Sequence, residues 1–431
     1  MLSQTPTDRW KLAWLLLAVF YLFFGFLYSV IQPPTALPDE GANMQYVQFL
    51  GTQGHLPVWQ PSGQGAGGYE TQHPPLAYAL QAVVWCGAAG LPDPIRWHIV
   101  RWFMVLLGLC LLPVTARLGR RLFPDDPLIR FTLAATIQLM PLSLLYLCHA
   151  NPDGVGLILS ALGLLLAVQI YGDSTEPPRL PYQAGIVAML AALTKLSVLP
   201  VAAVLLAAQA MRPVETARAW GQRAAIILGL TLAGGGWWYV RNRLLYGQFF
   251  VHTAGRLGTG LDLGARSGYV YAAKLTLTET FFSTWAQRGW FPDILEPLLN
   301  AGVVLMVLLA LAGFLLRRTR VGAAGPPPFL LRLCFFWLLF VFLSQQIAFW
   351  TVDVELNAGG RYMLAVLPAI AVLLLSGVSR FGLRVSRAVF PTWLALLLAM
   401  NVASAYNIVN VLVPHYFPGW KMFEFPGSHA A

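Results

Sequence analysis

The sequence predicts an all-α protein that crosses a membrane many times. Of its 431 residues, 57% are hydrophobic and 11% are charged, whereas a soluble domain carries about 25% charged residues. The first apolar run, residues 12–31, has no charge over 20 residues, which is enough for a helix to cross roughly 30 Å of hydrocarbon. We therefore expect a single transmembrane domain over 1–431, with no separate soluble domain.

Similar apolar runs recur along the chain and predict about 11 transmembrane helices. They cover residues 12–31, 97–116, 130–149, 154–171, 183–195, 198–211, 224–240, 296–316, 332–350, 362–379 and 390–412. The run 75–90 is also apolar but is short for a span, so we expect an interfacial helix there and a second one at 41–51. This arrangement leaves two long external segments, the first at 32–96 and the second at 241–295.

The distribution of charge orients these helices in the membrane. With the N-terminus in the cytoplasm, the inner loops hold 17 of the 28 Lys and Arg residues but only 6 of the 18 acidic residues. Such an asymmetry is typical of membrane proteins, whose cytoplasmic loops are rich in Lys and Arg. The net charge of +10 is thereby explained by orientation among membrane lipids, and we expect no nucleic-acid partner.

Acidic residues occur where the chain leaves predicted spans on the external side. Asp39 and Glu40 follow the first span, and Asp153 follows the third. Each could serve as a helix N-cap, since Asp at a helix start accepts backbone N–H bonds. However, two adjacent carboxylates exceed what one cap needs, and carboxylates at the mouth of an apolar bundle usually mark a functional site.

Three cations occur at equivalent external positions. Lys195 lies between two short apolar runs, where it either reaches the lipid headgroups or faces a cavity. Arg241 follows the seventh span and could bind bulk headgroups or one particular phosphate. Arg361 begins the tenth span, an unfavourable position for a cation next to a helix dipole unless an anion is bound there.

The histidines raise the question of a metal. All seven fall on the external side of the predicted topology, and His and carboxylate side chains suit Zn or Mn. Glu70, His73 and His252 are the candidate ligands for a divalent metal (Mn, Mg or Zn). No pair among them has tight ligand spacing, so the sequence predicts no cofactor with certainty.

Taken in order, these motifs resemble the GT-C membrane glycosyltransferases, and most closely the family-39 type of the protein mannosyltransferases and aminoarabinose transferases. The resemblance rests on Asp39-Glu40, Gly54-His55-Leu56-Pro57, His73-Pro74-Pro75-Leu76, Asn151-Pro152-Asp153, Thr194-Lys195, Arg241-Asn242 and Gly360-Arg361-Tyr362. The chain departs from the pattern at Asn43, a position that is often His in relatives. Glu70 also lies farther from the following prolines than in the aminoarabinose type. Both departures argue against a metal.

The resemblance implies a GT-C fold and glycosyl transfer in a bacterial inner membrane, as part of cell-envelope assembly. The expected donor is a polyprenyl-phosphate sugar, and the sugar would pass with inversion to the hydroxyl of an unidentified extracytoplasmic acceptor. Asp39 would be the general base, with Glu40 or Asp153 orienting the acceptor. Arg361, with Lys195 or Arg241, would bind the donor phosphate. Further substrate contacts are expected from Tyr362, Asn151 and His73.

Two other functions are compatible with these features. A lipid or sugar transporter also carries intramembrane charges, but it should show inverted repeats or broken helices in matching halves, and none is evident in the sequence. A non-catalytic GT-C-like scaffold in envelope assembly is the other alternative. Its acidic positions should tolerate substitution.

Overall fold

The computed structural model describes residues 6–37, 39–60, 65–172, 178–212, 216–251, 274, 277–286, 291–316, 325–351 and 359–418, and all regular structure in these ranges is helical. The α-helices are α1 Pro6–Ile31, α2 Glu40–Gln53, α3 Leu76–Gly87, α4 Asp93–Gly108, α5 Leu111–Leu122, α6 Pro127–Leu139, α7 Pro141–Leu147, α8 Asp153–Gly172, α9 Leu180–Ala192, α10 Pro200–Ala210, α11 Ala217–Tyr246, α12 Glu296–Leu316, α13 Pro328–Thr351, α14 Leu367–Ser379, α15 Leu383–Asn407 and α16 Val413–Tyr416. The predicted all-α polytopic architecture is confirmed.

Seven helical stretches in the described part of the chain are long and apolar enough to cross a membrane, or eight if one bent pair counts as a span. The seven are Asp8–Ile31, Asp93–Leu122, Asp153–Gly172, Glu296–Leu316, Pro328–Ile347, Gly360–Ser379 and Leu383–Tyr416. The predicted spans 183–195, 198–211 and 224–240 correspond to α9, α10 and α11, which are not among them. The predicted number of 11 is therefore not confirmed.

The predicted span 130–149 is not one straight helix. Helices α6 and α7 meet at an angle of 57°, because Pro141 has no N–H to continue the ladder and its ring clashes with the preceding turn. The break leaves the Leu139 carbonyl free, and this carbonyl accepts a hydrogen bond from Asn401 Nδ2 at 2.7 Å. The Tyr28 hydroxyl in turn lies 3.0 Å from Asn401 Oδ1. Side chains of α1 and α15 thus stabilise the bend.

Burial separates central helices from peripheral ones. The spans Asp153–Gly172 and Gly360–Ser379 are 78% and 89% buried within the protein, whereas Glu296–Leu316 and Pro328–Ile347 are 28% buried. Helices α12 and α14 touch through backbone, because a Cβ atom at Gly377 would overlap the Ala310 carbonyl. The peripheral helices leave apolar side chains for lipid, and the central ones carry several residues of the site described below.

The first external segment folds into two short helices joined by a 3₁₀ turn at Tyr69–Gln72. The helices expected at 41–51 and 75–90 are α2 and α3. They pack against each other through a stacked pair of buried rings, Tyr46 and Tyr78, whose centroids are 4.3 Å apart. This contact belongs to a second, smaller apolar core beside the main one, and it holds the segment against the bundle.

Helix α11 continues beyond its predicted end at residue 240. It runs to Tyr246 and stops at Gly247, whose φ of 74° ends the helix in the left-handed conformation, which glycine adopts without steric cost. Arg241 therefore lies on a helix and not in a loop. Of the predicted external segment 241–295, residues 252–273, 275–276 and 287–290 lie outside the described residues.

Candidate active site

Helix ends and connecting segments surround a polar cavity that encloses roughly 350 Å³, part of it open to solvent. Its walls come from parts of the chain that are far apart in sequence, from the turn before α2 to the 3₁₀ helix Gly360–Val366. The lining residues are Asp39, Asn43, Glu70, His73, Tyr146, Asn151, Pro152, Asp153, Lys195, Arg361 and Tyr362. Eight of the residues that the sequence singled out as catalytic, phosphate-binding, substrate-binding or metal-binding are among them.

Asp39 occupies the N-cap position of α2, but its side chain does not cap the helix. Its φ of 66° lies in the left-handed region, which is uncommon for a residue with a side chain and costs of order 1 kcal/mol. The carboxylate faces the cavity. Oδ1 accepts a hydrogen bond from the Tyr69 hydroxyl at 2.5 Å, and Oδ2 forms an ion pair with Arg361.

These two partners determine the protonation of Asp39. Burial alone would raise the pKa of this carboxyl, but the Arg361 guanidinium and the Tyr69 hydrogen bond outweigh burial and hold the pKa below its ordinary value. For Tyr69, burial and the neighbouring carboxylate raise the pKa of the phenol. At neutral pH the pair is therefore an ionised carboxylate accepting a hydrogen bond from a neutral phenol.

The backbone next to Arg361 is fixed at Gly360. The N–H group of Gly360 donates to Ser283 Oγ at 2.6 Å, and a Cβ atom at Gly360 would overlap the backbone of Thr284. Only glycine fits this close approach. The Gly360 N–H is thus already bound, and this turn contributes the side chains of Arg361 and Tyr362 to the cavity. Arg361 Nη2 also lies 3.2 Å from the Tyr362 hydroxyl.

A second ion pair forms another part of the cavity wall. Lys195 Nζ lies 2.8 and 2.9 Å from the two carboxylate oxygens of Asp153, and both side chains are less than 10% exposed. Lys195 precedes the 3₁₀ turn Leu196–Val198 in extended backbone. Asp153 does not act as an N-cap, because Asn151 Oδ1 accepts the N–H of Gly154 at 3.0 Å.

Tyr362 connects the two ion pairs. The Arg361 guanidinium lies 5.1 Å from the centre of its ring, and Lys195 Nζ lies 5.2 Å from it, both within the range of a cation–π contact. We refer to Asp39, Arg361, Tyr362, Lys195 and Asp153 as the acid–cation network. It presents two cations to the cavity, each of them balanced by a carboxylate.

Two of the candidate metal ligands, Glu70 and His73, contact each other. His73 Nε2 lies 2.7 Å from Glu70 Oε2, while Asp39 and Asp153 are held by Arg361 and Lys195. Across the described ranges, no three His, Cys, Asp or Glu side chains are arranged to hold a metal. The third predicted ligand, His252, lies outside the described residues. The described side chains do not fit a divalent metal, and we assign no step to one.

Glu40 does not line the cavity, which corrects its expected role in orienting the acceptor. It is 1% exposed, and both of its oxygens bind Arg101, Oε1 at 2.8 Å from Nε and Oε2 at 2.6 Å from Nη2. The same guanidinium donates to the carbonyls of Ser29, Gln32 and Pro33. Because Glu40 is adjacent to Asp39 and Arg101 holds the end of α1, this pair fixes the turn that presents Asp39.

Arg241 and Asn151, which the sequence predicted to bind the donor phosphate and the substrate, form hydrogen bonds within the protein. Arg241 lies outside the cavity lining, where Nη2 donates to the Pro57 carbonyl at 2.7 Å and the guanidinium lies 5.0 Å from the Trp238 ring centre. Asn151 does line the cavity, but its amide nitrogen donates to the carbonyls of Tyr146 and His149, both at 2.9 Å. Arg241 is thus separate from the other two cations, and Asn151 shapes its loop.

Sequence reasoning missed Arg101 and Tyr69. Arg101 lies inside the predicted span 97–116, and a charge within an apolar span needs a partner, so a signal for the Glu40 pair was present. Tyr69 follows a glycine-rich stretch and has no feature of charge or spacing that sets it apart. Its contact with Asp39 depends on the path of the loop, where Gly67 and Gly68 have φ of 92° and 82°.

Comparisons with known proteins find matches among solved structures. No protein-family model matches the chain, and no curated protein matches it. Among solved structures, the aminoarabinose transferase ArnT from Cupriavidus metallidurans matches in two states. Bound to undecaprenyl phosphate, it has 16% identity, a TM-score of 0.56 and coverage of 92% of this chain and 76% of that one. In the apo state, it has 14% identity, a TM-score of 0.58 and coverage of 93% of this chain and 77% of that one.

An oligosaccharyltransferase from Archaeoglobus fulgidus, solved with Zn and sulfate, matches less well. The identity is 14% and the TM-score 0.47, over 91% of this chain and 53% of that one, so this chain spans about half of its length. The likeness to ArnT extends over most of both chains and shows the fold. This chain is a multi-pass membrane protein with the GT-C fold, as its motifs indicated.

Proposed function

We propose that the chain is a glycosyltransferase that moves a sugar from a polyprenyl-phosphate donor to an acceptor hydroxyl on the extracytoplasmic face of a bacterial inner membrane. One observation carries the proposal: an ionised carboxylate, Asp39, and two cations, Arg361 and Lys195, line the same cavity of a GT-C fold. The undecaprenyl phosphate bound to ArnT supports the class of donor. A lipid-linked donor also suits a compartment that lacks nucleotide sugars.

The proposed reaction exchanges one bond for another at the anomeric carbon. The acceptor oxygen forms a bond to that carbon while its proton passes to the Asp39 carboxylate. The bond between the anomeric carbon and the phosphate oxygen breaks, and its electron pair leaves with the lipid phosphate. Arg361 and Lys195 stabilise the charge that develops on this leaving group. Attack from the face opposite the phosphate inverts the anomeric centre.

The other cavity residues have supporting roles in this proposal. Asp153 keeps Lys195 at the cavity wall through two contacts below 3 Å. Tyr362 is within cation–π range of both cations and offers a ring to the sugar. His73 is 26% exposed through its side chain and paired with Glu70, so its ring is available to a substrate hydroxyl.

The test is transfer by membranes that contain the wild type or Asp39→Asn. Undecaprenyl-phosphate monosaccharides labelled in the sugar serve as donors, and the label is followed into acceptor material and into water. We expect Asp39→Asn to lose roughly 10²- to 10⁴-fold in rate, the usual contribution of a general base. Unchanged transfer would remove Asp39 as the base, and a wild type without transfer would favour the scaffold alternative.

The matched control is Asp93→Asn. Asp93 is also a carboxylate paired with an arginine, Arg96, at 2.8 Å, but it is 65% exposed and lies outside the cavity. The substitution removes the same charge without touching the acid–cation network. We expect it to retain wild-type transfer.

A further inference from the structure

Arg361 has two incompatible tasks in the proposed reaction. Its guanidinium is the cation in direct contact with Asp39, yet the donor phosphate needs that same cation. Asp39 must accept a proton, yet one of its oxygens is bound to Arg361 and the other to Tyr69. In the arrangement described above, the base is therefore bound by the group that should bind the leaving group.

We propose that the donor phosphate and Asp39 compete for Arg361, so that binding of the donor releases the base. This inference rests on the proposed function and specifies the order of its steps. The donor binds first and takes the guanidinium. Asp39 Oδ2 then becomes free to accept the proton of an acceptor hydroxyl.

The exposed fractions of the side chains support an exchange of partners at the Asp39–Arg361 pair and not at the Asp153–Lys195 pair. The side chains of Arg361 and Asp39 are 21% and 23% exposed, whereas those of Lys195 and Asp153 are 8% and 7% exposed. An ion pair that retains contact with water is weak, because both ions can be solvated when they separate. The Arg361 pair is thus the one in the acid–cation network that a ligand can open at low cost.

The chemistry of the competitor favours the exchange. The phosphodiester of the donor has two non-bridging oxygens that share a negative charge, and the flat guanidinium fork can bind both in parallel. Gly360 remains fixed through its bond to Ser283, so only the side chain of Arg361 has to turn. The cation therefore stays at the cavity wall while its partner changes.

Release of Arg361 also changes the basicity of Asp39. The guanidinium is the largest of the effects that lower the pKa of Asp39, and burial acts in the opposite direction. When the phosphate binds Arg361 and neutralises its charge, the effect of burial on the Asp39 carboxyl is opposed less strongly. The pKa of Asp39 therefore rises. A carboxylate with a higher pKa is a better proton acceptor at neutral pH.

The experiment measures binding of undecaprenyl phosphate, without a sugar, to the full-length protein in lipid nanodiscs. Asp39→Asn removes the internal competitor and should bind the probe about fivefold more tightly than the wild type, the effect expected for a partly exposed ion pair. Arg361→Gln should bind it more weakly. The double variant Asp39→Asn/Arg361→Gln should not show the tighter binding of Asp39→Asn, and Asp93→Asn should bind the probe like the wild type.

Each outcome is decisive. Tighter binding by Asp39→Asn alone supports the competition. Equal or weaker binding by Asp39→Asn, with Arg361 still required, overturns it and leaves the proposed function intact. An equal gain in Asp93→Asn also overturns it, because the effect would then be general electrostatics. Failure of the wild type to bind undecaprenyl phosphate refutes the proposed function itself. If Asp39→Asn does not accumulate, Asp39→Ser replaces it.

Discussion

The buried pair of Arg101 and Glu40 allows a quantitative prediction about stability. Arg101 is 0% exposed and makes five hydrogen bonds, two to Glu40 and three to backbone carbonyls at the end of α1. The substitution Arg101→Met fills much of the volume but leaves the Glu40 carboxylate buried without a charged partner, bound by longer hydrogen bonds from Trp97 Nε1 and from the N–H groups of Thr35 and Ala150 at 3.3 to 3.5 Å. Breaking a buried pair in this way costs about 3–5 kcal/mol, so we expect a loss of that size in the free energy of unfolding.

The dependence on pH follows from the pKa of Glu40. Burial opposes its ionisation, but Arg101 outweighs burial and lowers the pKa to about 2 from the ordinary value of 4.5. In the wild type, this carboxylate therefore contributes stability above pH 4.5, which is lost as the pH falls towards 2. In Arg101→Met, the largest effect that opposes burial is gone and the pKa of Glu40 rises, so the folded variant gains stability as Glu40 becomes protonated. The difference between the two proteins should be larger at pH 8 than at pH 5.

The assay is reversible unfolding of purified protein in mixed detergent and SDS micelles, followed by tryptophan fluorescence at both pH values. The double variant Glu40→Gln/Arg101→Met removes both charges, and its free energy of unfolding should fall less than that of Arg101→Met alone. A double-mutant cycle measures this difference as the coupling between the two residues. Lys11→Met is the control, because Lys11 pairs with Asp8 and both side chains are exposed, so its loss should cost about 1 kcal/mol or less. A loss below about 1 kcal/mol for Arg101→Met, or one independent of pH, would refute the reasoning.

Two further predictions concern the base and the helix packing. Tyr69→Phe removes a hydrogen bond that lowers the pKa of Asp39. The acid limb of kcat/KM against pH should therefore move to higher pH, and an unmoved limb would exclude Tyr69 as a positioning residue. Gly377→Ala inserts a methyl group into the Ala310 carbonyl and should destabilise the protein by roughly 1–3 kcal/mol in the same unfolding assay. Gly229→Ala, where nothing lies within 4 Å of the new methyl, should be neutral or stabilising; equal effects at both positions would contradict the packing argument.

Much of the fold could be predicted from apolar periodicity and length alone. Residues 12–31, 362–379 and 390–412 are long uncharged runs, and in a membrane such runs satisfy their backbone hydrogen bonds as helices. The bend at Pro141 was harder to predict, because proline can also be accommodated in a continuing transmembrane helix. What stabilises the bend is a partner, Asn401, which lies far along the chain and donates a hydrogen bond to the freed Leu139 carbonyl.

The site was predicted as a set of residues but not as a set of contacts. Asp39, Asp153, Lys195 and Arg361 stood out because each is a charge beside an apolar run, and the cavity contains all four. Their pairing could not be predicted, since Asp39 and Arg361 are separated by 322 residues. Glu40 shows the consequence: it is equivalent to Asp39 by sequence, but one step along the turn directs it to Arg101 in the interior.

Burial separates the three acid–cation pairs into different roles. A pair without access to water, such as Glu40 and Arg101, can only be broken at a cost of several kcal/mol, so it serves to fix the Asp39 turn. The pair of Asp153 and Lys195 is nearly buried and gives the second cation a constant position. Only the pair of Asp39 and Arg361 combines a place in the cavity with enough exposure to exchange partners. A strained backbone at Asp39 fits this role, because it holds the carboxylate in the cavity whether or not Arg361 is bound to it.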